Sequence, residues 1–385
     1  MAPKTKPPAA PATADADQAT AAFAKVVKQA LEQFHAPAWL GEQSPLASPY
    51  FLGERLPRPT ATASVDSLLR GQALQQLLLE AADALVAHYV RWHQGQVWLE
   101  LLQASYFSPT RLPVYKLIQQ LNTSEAAYHR NQGYAIEHLA QVVIGRVKPA
   151  LRLESVMPPA TLVGRAEALT DLLTNLQLGK TVGISGAGGV GKTTLGQALA
   201  HTFAPQATFW YTFAPGLSDS LRSLLFALAY FLHKQAASAL WSQLVADRGE
   251  IKAGKEGVAL NLLRHDLASL GQHRVLLCFD EVDLLRPNES EAHAQLIPLL
   301  ESLRGQVPLL YIGQKSRIAT DLPYALTGLT LVDSAVLLQQ AGIDLAQSEL
   351  NRLYHGTEGN PRLLELFIAL VFSRQRSGET NLKRE

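Results

Sequence analysis

The chain has 385 residues, 47% of them hydrophobic, which is length and apolar content enough for two or three packed cores. Its 34 basic and 33 acidic residues leave a formal charge of +1, so no global field draws it to nucleic acid or anionic lipid. The single cysteine, Cys278, excludes an intramolecular disulfide; no charged region followed by an apolar core opens the chain; and the apolar stretch from Leu363 to Phe372 is too short for the roughly 20 residues that cross a bilayer. The expectation is a cytoplasmic protein with no membrane segment.

Residues 1–20 are mostly Ala, Pro, Thr, Lys and Asp, a composition that predicts a disordered tail. Residues 21–150 read as a small helical domain. Pro37, Pro45, Pro49, Pro57 and Pro59 punctuate its first part, and Leu74, Leu78, Ala81, Leu85 and Tyr89 then recur at spacings of three and four. Leu112 to Asn122, the turn Thr123-Ser124 and Glu125 to Ile144 read as helix, turn, helix, with Ile136, Leu139 and Val143 on one side. This pattern resembles the helix-turn-helix of sigma-factor region four. The resemblance implies Tyr128, His129, Arg130, Asn131 and Gln132 toward a major groove, with Lys116, Arg146 and Lys148 near phosphates. From Tyr106 to Arg152 there are six Lys and Arg against two Glu, a modest excess for a DNA binder. The same helices suit an adaptor that packs on a protein partner or on the rest of the chain.

Val147 to Pro159 is rich in proline and charge and predicts a linker, placed at 151–158. Between 159 and 332, apolar runs at Thr181 to Ser185, Thr208 to Phe213, Val275 to Phe279 and Pro308 to Gly313 alternate with longer helical patterns. That alternation predicts the α/β class, a parallel sheet with helices on both faces. Residues 333–385 hold no strand pattern, and Leu363, Phe367, Leu370 and Val371 mark one face of a closing helix, so a helical lid is expected.

Gly186-Ala-Gly-Gly-Val-Gly191-Lys192-Thr193-Thr194 matches the Walker A pattern and has the required setting, a strand before it and the stripe Leu195, Ala198, Leu199, Phe203 after it. Glycine backbone at Gly186, Gly188, Gly189 and Gly191, with Val190 between, lets amide N–H groups turn toward phosphate oxygens at the positive end of the helix. Lys192 is expected to reach the β- and γ-phosphates, Thr193 to bind Mg²⁺ through its hydroxyl, and Thr194 to contact the α-phosphate.

Val275 to Phe279 delivers Asp280 and Glu281 at its C-terminal end, where open α/β sheets place ligands, and so resembles Walker B. Asp280 is expected to hold Mg²⁺ through its water shell and Glu281 to orient and polarise the attacking water, successive strand residues pointing opposite ways. Asp283 reads as a helix cap and Cys278 as plain core. After Pro308 to Gly313, the polar stretch Gln314-Lys-Ser-Arg317 can sense the γ-phosphate, with Arg317 the candidate sensor or else an ordinary surface arginine.

Together these residues resemble the STAND class of P-loop ATPases, which includes NB-ARC and NACHT signalling proteins, over about residues 159–375. Leu162-Val163-Gly164-Arg165 is similar to the family's hGRE segment, which implies nucleotide contact by Val163, Gly164 and Arg165, although Ala166 replaces the usual Glu. Phe209-Trp-Tyr211 is similar to its second strand, and Gly359-Asn360-Pro361-Arg362 to its GNP segment, implying Pro361 near adenine. Asn360 is also a good N-cap and Pro361 a good first helical residue. The resemblance implies ATP or ADP with Mg²⁺ as cofactors, slow hydrolysis, a conformational switch and self-association on ATP binding. That family continues into a winged helix and a repeat array, whereas the sequence given stops at Glu385; the expectation is a fragment, a split gene product or a component that borrows its sensor from a partner. Two other functions are open: a DNA-binding regulator under nucleotide control, and a replication-initiator-like AAA+ ATPase.

Overall fold

The computed structural model describes residues 11–56, 66–88, 94–110, 112–146, 153–156, 162–215, 218–249, 251, 256–271, 275–286, 291–315 and 318–376. In chain order the elements are α1 (Pro11–Glu32), α2 (Pro37–Gln43), α3 (Pro49–Leu52), α4 (Ser67–His88), α5 (Gln94–Leu102), α6 (Val114–Gln120), α7 (Glu125–Arg146), α8 (Ala166–Gln177), β1 (Thr181–Ser185), α9 (Lys192–Phe203), β2 (Thr208–Thr212), α10 (Leu221–Lys234), α11 (Ala239–Ala246), α12 (Glu256–Leu270), β3 (Leu276–Asp280), α13 (Glu291–Ser302), β4 (Leu309–Ile312), β5 (Leu322–Ala325), α14 (Leu331–Gln340), α15 (Gln347–Thr357) and α16 (Pro361–Arg376). No described helix is long and apolar enough to cross a membrane.

The chain divides into two compact units, one of Met1–Arg152 with Leu225–Ser269, the other of Leu153–Leu224 with Leu270–Glu385. Residues 225–269, which the sequence places inside the α/β domain, thus pack with the N-terminal helices. Of the tail expected over residues 1–20, residues 1–10 lie outside the described residues, and the rest is corrected by α1, which is helical from Pro11. Ala16, Ala19, Phe23, Val27 and Ala30 are buried at spacings of three and four. Small alanines gave little hydrophobic signal, yet they let α1 approach its neighbours closely. Trp241 of α11 is fully buried, its ring 5.6 Å from Phe51, 5.2 Å from Phe226 and 5.4 Å from Tyr230.

The helix-turn-helix reading is corrected at two of its five groove-facing residues. Tyr128 is 2% exposed and its hydroxyl pairs with Ser105 Oγ at 3.0 Å. Gln132 donates inward to the hydroxyls of Tyr106 (3.0 Å) and Tyr128 (3.4 Å). A buried phenol has to find a partner, and these residues satisfy one another rather than reach outward. His129 and Arg130 remain exposed.

His233, half-buried at the end of α10, shares its Nδ1 with Ser238 Oγ at 2.8 Å. Burial holds its pKa below the ordinary 6.5, only partly offset by the Ile144 backbone. The native imidazole therefore binds a proton less readily than the unfolded one, and stability is lost as pH falls through the unfolded value. Thermal stability measured from about pH 8 to about pH 5 should decline on the acid side, and His233→Gln should flatten that decline.

In the second unit the strands form one parallel sheet of order β2-β3-β4-β1-β5, the P-loop α/β fold. Alternate side chains go to opposite faces. Val182, Ile184, Trp210, Leu276, Cys278, Leu310 and Ile312 pack with Leu172 and Leu176 of α8 and Leu195 and Leu199 of α9. Phe209, Tyr211, Phe279 and Tyr311 occupy the alternate positions, ring against ring. Tyr311 donates to the Leu300 carbonyl of α13 at 2.7 Å. The strand β5 is absent from the sequence reading. It is only four residues, half-exposed in alternation, and carries Pro323, which an edge strand tolerates.

Candidate functional site

The loop from β1 to α9 is built on glycine. Gly191 caps α9 at φ 95°, a left-handed conformation that an L side chain rarely adopts, and it delivers Lys192 as the first helical residue. A side chain added at Gly188 or Gly191 would meet nothing within 4 Å, so the loop's outer face is open. At Gly189 an added Cβ would come within 2.8 Å of Arg362 Cβ, so that side is packed. Lys192 is 9% exposed, and its Nζ donates to the carbonyls of Gly186 (3.1 Å) and Ala187 (3.0 Å). An ammonium held over an open glycine loop at a helix N-terminus fits a polyphosphate.

Beside it, Thr193 Oγ1 donates to Asp280 Oδ2 at 2.9 Å, and the Glu281 N–H donates to Asp280 Oδ1 at 2.8 Å. Asp280 is 4% exposed. Burial pushes its carboxyl above the usual range against the bonds from Thr193 and Glu281 and the charge of Lys192, with Glu154 pushing it up further. A hydroxyl and a carboxylate are hard oxygen donors and suit Mg²⁺, which takes few protein ligands and keeps water and phosphate oxygens.

Glu281 lies just past the strand at φ 57° and ψ 35°. Its direction is therefore set by a left-handed turn and not by strand alternation. Such a backbone costs on the order of 1–3 kcal/mol in a non-glycine residue and collects at functional sites. Burial, then the charges of Asp280 and Asp283, raise its pKa, while Lys192 lowers it. Asp283 Oδ1 accepts the Gln314 N–H at 2.7 Å, and Gln314 O accepts the Gly186 N–H at 3.4 Å, so Asp283 ties the ends of β3 and β4 to the glycine loop. Cys278 is fully buried with its thiol pKa pushed far up, an inert core residue. Arg317 lies outside the described residues.

The segments on either side of this centre reach the glycine loop. Gly164 has φ +65°, and an added Cβ would lie 2.4 Å from the Asp333 carboxyl carbon of α14, so only glycine lets the two approach. Arg165 follows as the residue capping α8, and its Nη2 donates to Val190 O (3.3 Å) and Thr327 O (2.6 Å). Thr194 is half-buried on the first turn of α9, and Pro361 half-buried at the start of α16.

Sequence reasoning missed how closely the start of α16 engages the glycine loop. Asn360 Nδ2 donates to Gly188 O at 3.0 Å while its Oδ1 accepts the Arg362 N–H at 3.1 Å, and the Arg362 N–H also approaches Gly189 O at 3.3 Å. Asn360 thus caps α16 and grips the glycine loop together. Leu329 N–H donates to Gly359 O at 2.7 Å, fastening the chain after β5 to the same turn. Three consecutive carbonyls, of Gly188, Gly189 and Val190, are engaged from Asn360, Arg362 and Arg165. The motif Gly359 to Arg362 signalled a helix start but not this contact. Glu154, from the expected linker, was also missed; its carboxylate holds Thr212 at the end of β2, next to Asp280.

Residues 161–312 match the AAA ATPase domain family. No curated protein matches the chain. Among solved structures, a STAND protein with a tetratricopeptide repeat sensor from Pyrococcus horikoshii is similar over 57% of this chain and 31% of its own, at 18% identity and a TM-score of 0.43. The chain therefore spans about a third of that protein's length. Domain III of the replication initiation protein DnaA from Thermotoga maritima is similar over 60% of this chain and 95% of its own, at 18% identity and a TM-score of 0.34. A replication initiator DnaA bound to AMPPCP and single-stranded DNA is similar over 58% and 67%, at 16% identity and 0.34.

Proposed function

We propose that this chain, whose residues 161–312 are an AAA ATPase domain, works as a STAND-class nucleotide switch that rests with ADP, opens on exchange for ATP and resets by slow hydrolysis. The observation that carries this reading is the lid's grip on the glycine loop, Asn360 Nδ2 on Gly188 O and Arg362 N–H near Gly189 O. A loop whose amides face phosphate and whose carbonyls face the lid turns a change of phosphate number into a change of lid contacts.

Lys192 gives up its two loop carbonyls to hold phosphate oxygens, and Thr193 and Asp280 hold the metal. Bound Mg²⁺ supplies charge neutralisation on the phosphate oxygens. Glu281 orients and polarises water, its raised pKa keeping it basic enough to accept a proton. Arg165 braces Val190 from the far side, and Arg362 stands over Gly189, where a guanidinium reports the number of phosphates.

Amide hydrogen exchange tests the switch. With ADP the Arg362 amide should stay protected, and with ATP and Mg²⁺ under non-hydrolysing conditions its exchange should rise at least tenfold, since an opening of about 1.4 kcal/mol is a factor of ten. Equal protection with both nucleotides would leave binding intact and remove the switch.

A further inference from the structure

The segment ahead of the ATPase domain places an unexpected carboxylate beside the metal site. Glu154 Oε1 accepts the Thr212 N–H at 2.7 Å, and Oε2 accepts the Thr212 hydroxyl at 2.7 Å. Thr212 is the last residue of β2, an edge strand, and it stands in register with Asp280 of β3. The next residue, Phe213, donates its N–H to Asp280 O at 3.0 Å. Ser218 Oγ donates to Thr212 O at 2.7 Å and accepts the Ala214 N–H at 2.8 Å, which knots the loop after β2.

We propose that Glu154 is a positioning residue of the Mg²⁺-nucleotide centre, fixing the tip of β2 against Asp280. The inference rests on the nucleotide reading above. Neighbouring strands lie about 4.8 Å apart, so a carboxylate clamped on Thr212 stands one strand from Asp280. Because the clamp fixes the strand end that stands in register with Asp280, by linkage the metal tightens the clamp as much as the clamp tightens the metal.

The test uses the full chain and a fluorescent ADP analogue, titrated with Mg²⁺ and separately in EDTA. Glu154→Gln keeps the shape and one acceptor but removes the charge. It should raise the Mg²⁺ concentration for half-saturation roughly tenfold, the scale of losses from residues just outside a metal's ligands, and leave affinity in EDTA within about twofold. Thr212→Val, which cuts only the hydroxyl bond, should shift Mg²⁺ demand the same way by roughly threefold. The Thr212 amide should exchange more slowly with Mg²⁺ and ADP in the parent chain, and this gain should vanish in Glu154→Ala. A parent chain that binds ADP and responds to Mg²⁺ while Glu154→Gln keeps the same Mg²⁺ demand overturns the role of Glu154 alone. A parent chain that binds no nucleotide in either buffer overturns the nucleotide reading and this role with it.

Discussion

Lys192→Ala should lower the affinity for ADP and ATP at least about a hundredfold, measured by titration calorimetry, while the far-ultraviolet circular dichroism stays unchanged. A hydrogen bond to a charged group is worth about 1.5–3 kcal/mol, and each 1.4 kcal/mol is a factor of ten, so loss of an ammonium proposed to touch two phosphates gives this scale. The loop itself should survive. Its shape is held by Asn360 on Gly188, Arg165 on Val190 and the backbone bond from Gly186 to Gln314, none of which involves the lysine side chain. Lys192→Arg should not rescue, because a 9% exposed ammonium seated on the carbonyls of Gly186 and Ala187 leaves no room for a planar fork. If Lys192→Ala bound nucleotide like the parent chain, the glycine loop would be only a strand-to-helix turn.

How far the sequence reaches depends on whether a signal is local. Walker A is local: nine consecutive residues carry the glycines, the lysine and the hydroxyls, and the strand before them and the helix after them are both present. The strand delivering Asp280 is equally legible, since Val275 to Phe279 are all fully buried and such a run has to be apolar. The bond from Glu154 to Thr212 spans 58 positions and that from Asn360 to Gly188 spans 172, and no periodicity records such pairs. Glu281 illustrates a subtler loss. Strand alternation would have sent its side chain away from Asp280 by geometry alone, whereas a left-handed turn at φ 57° decides its direction. Composition misled at the N-terminus, where alanine counted as filler although Ala16 and Ala19 are buried. Residues 225–269 show the largest gap, because helices that look like crossovers between β2 and β3 find their apolar partners in α1 and Phe51.

Glu281→Gln should reduce the rate of ATP hydrolysis at least about a hundredfold and leave Mg²⁺-ATP affinity within about threefold, since a positioned base contributes roughly a hundredfold or more. The geometry separates the two effects. Asp280 holds the Thr193 hydroxyl, the pair proposed to hold the metal, whereas Glu281 touches Asp280 only through its backbone N–H, a bond that the substitution keeps. Removing its charge also removes repulsion from Asp280 and Asp283, so binding has no reason to weaken. The pH profile adds a second sign. Burial and the two neighbouring carboxylates raise the Glu281 pKa, and a base works only when deprotonated, so hydrolysis in the parent chain should climb with pH through a value above the usual carboxylate range. That climb should be missing in Glu281→Gln. Asp283→Asn is the control, because Asp283 accepts the Gln314 N–H and braces the loop, and its effect should fall on stability more than on turnover. A Glu281→Gln protein that hydrolyses ATP at more than a third of the parent rate would assign the water to another group and leave the left-handed turn at Glu281 without a catalytic purpose.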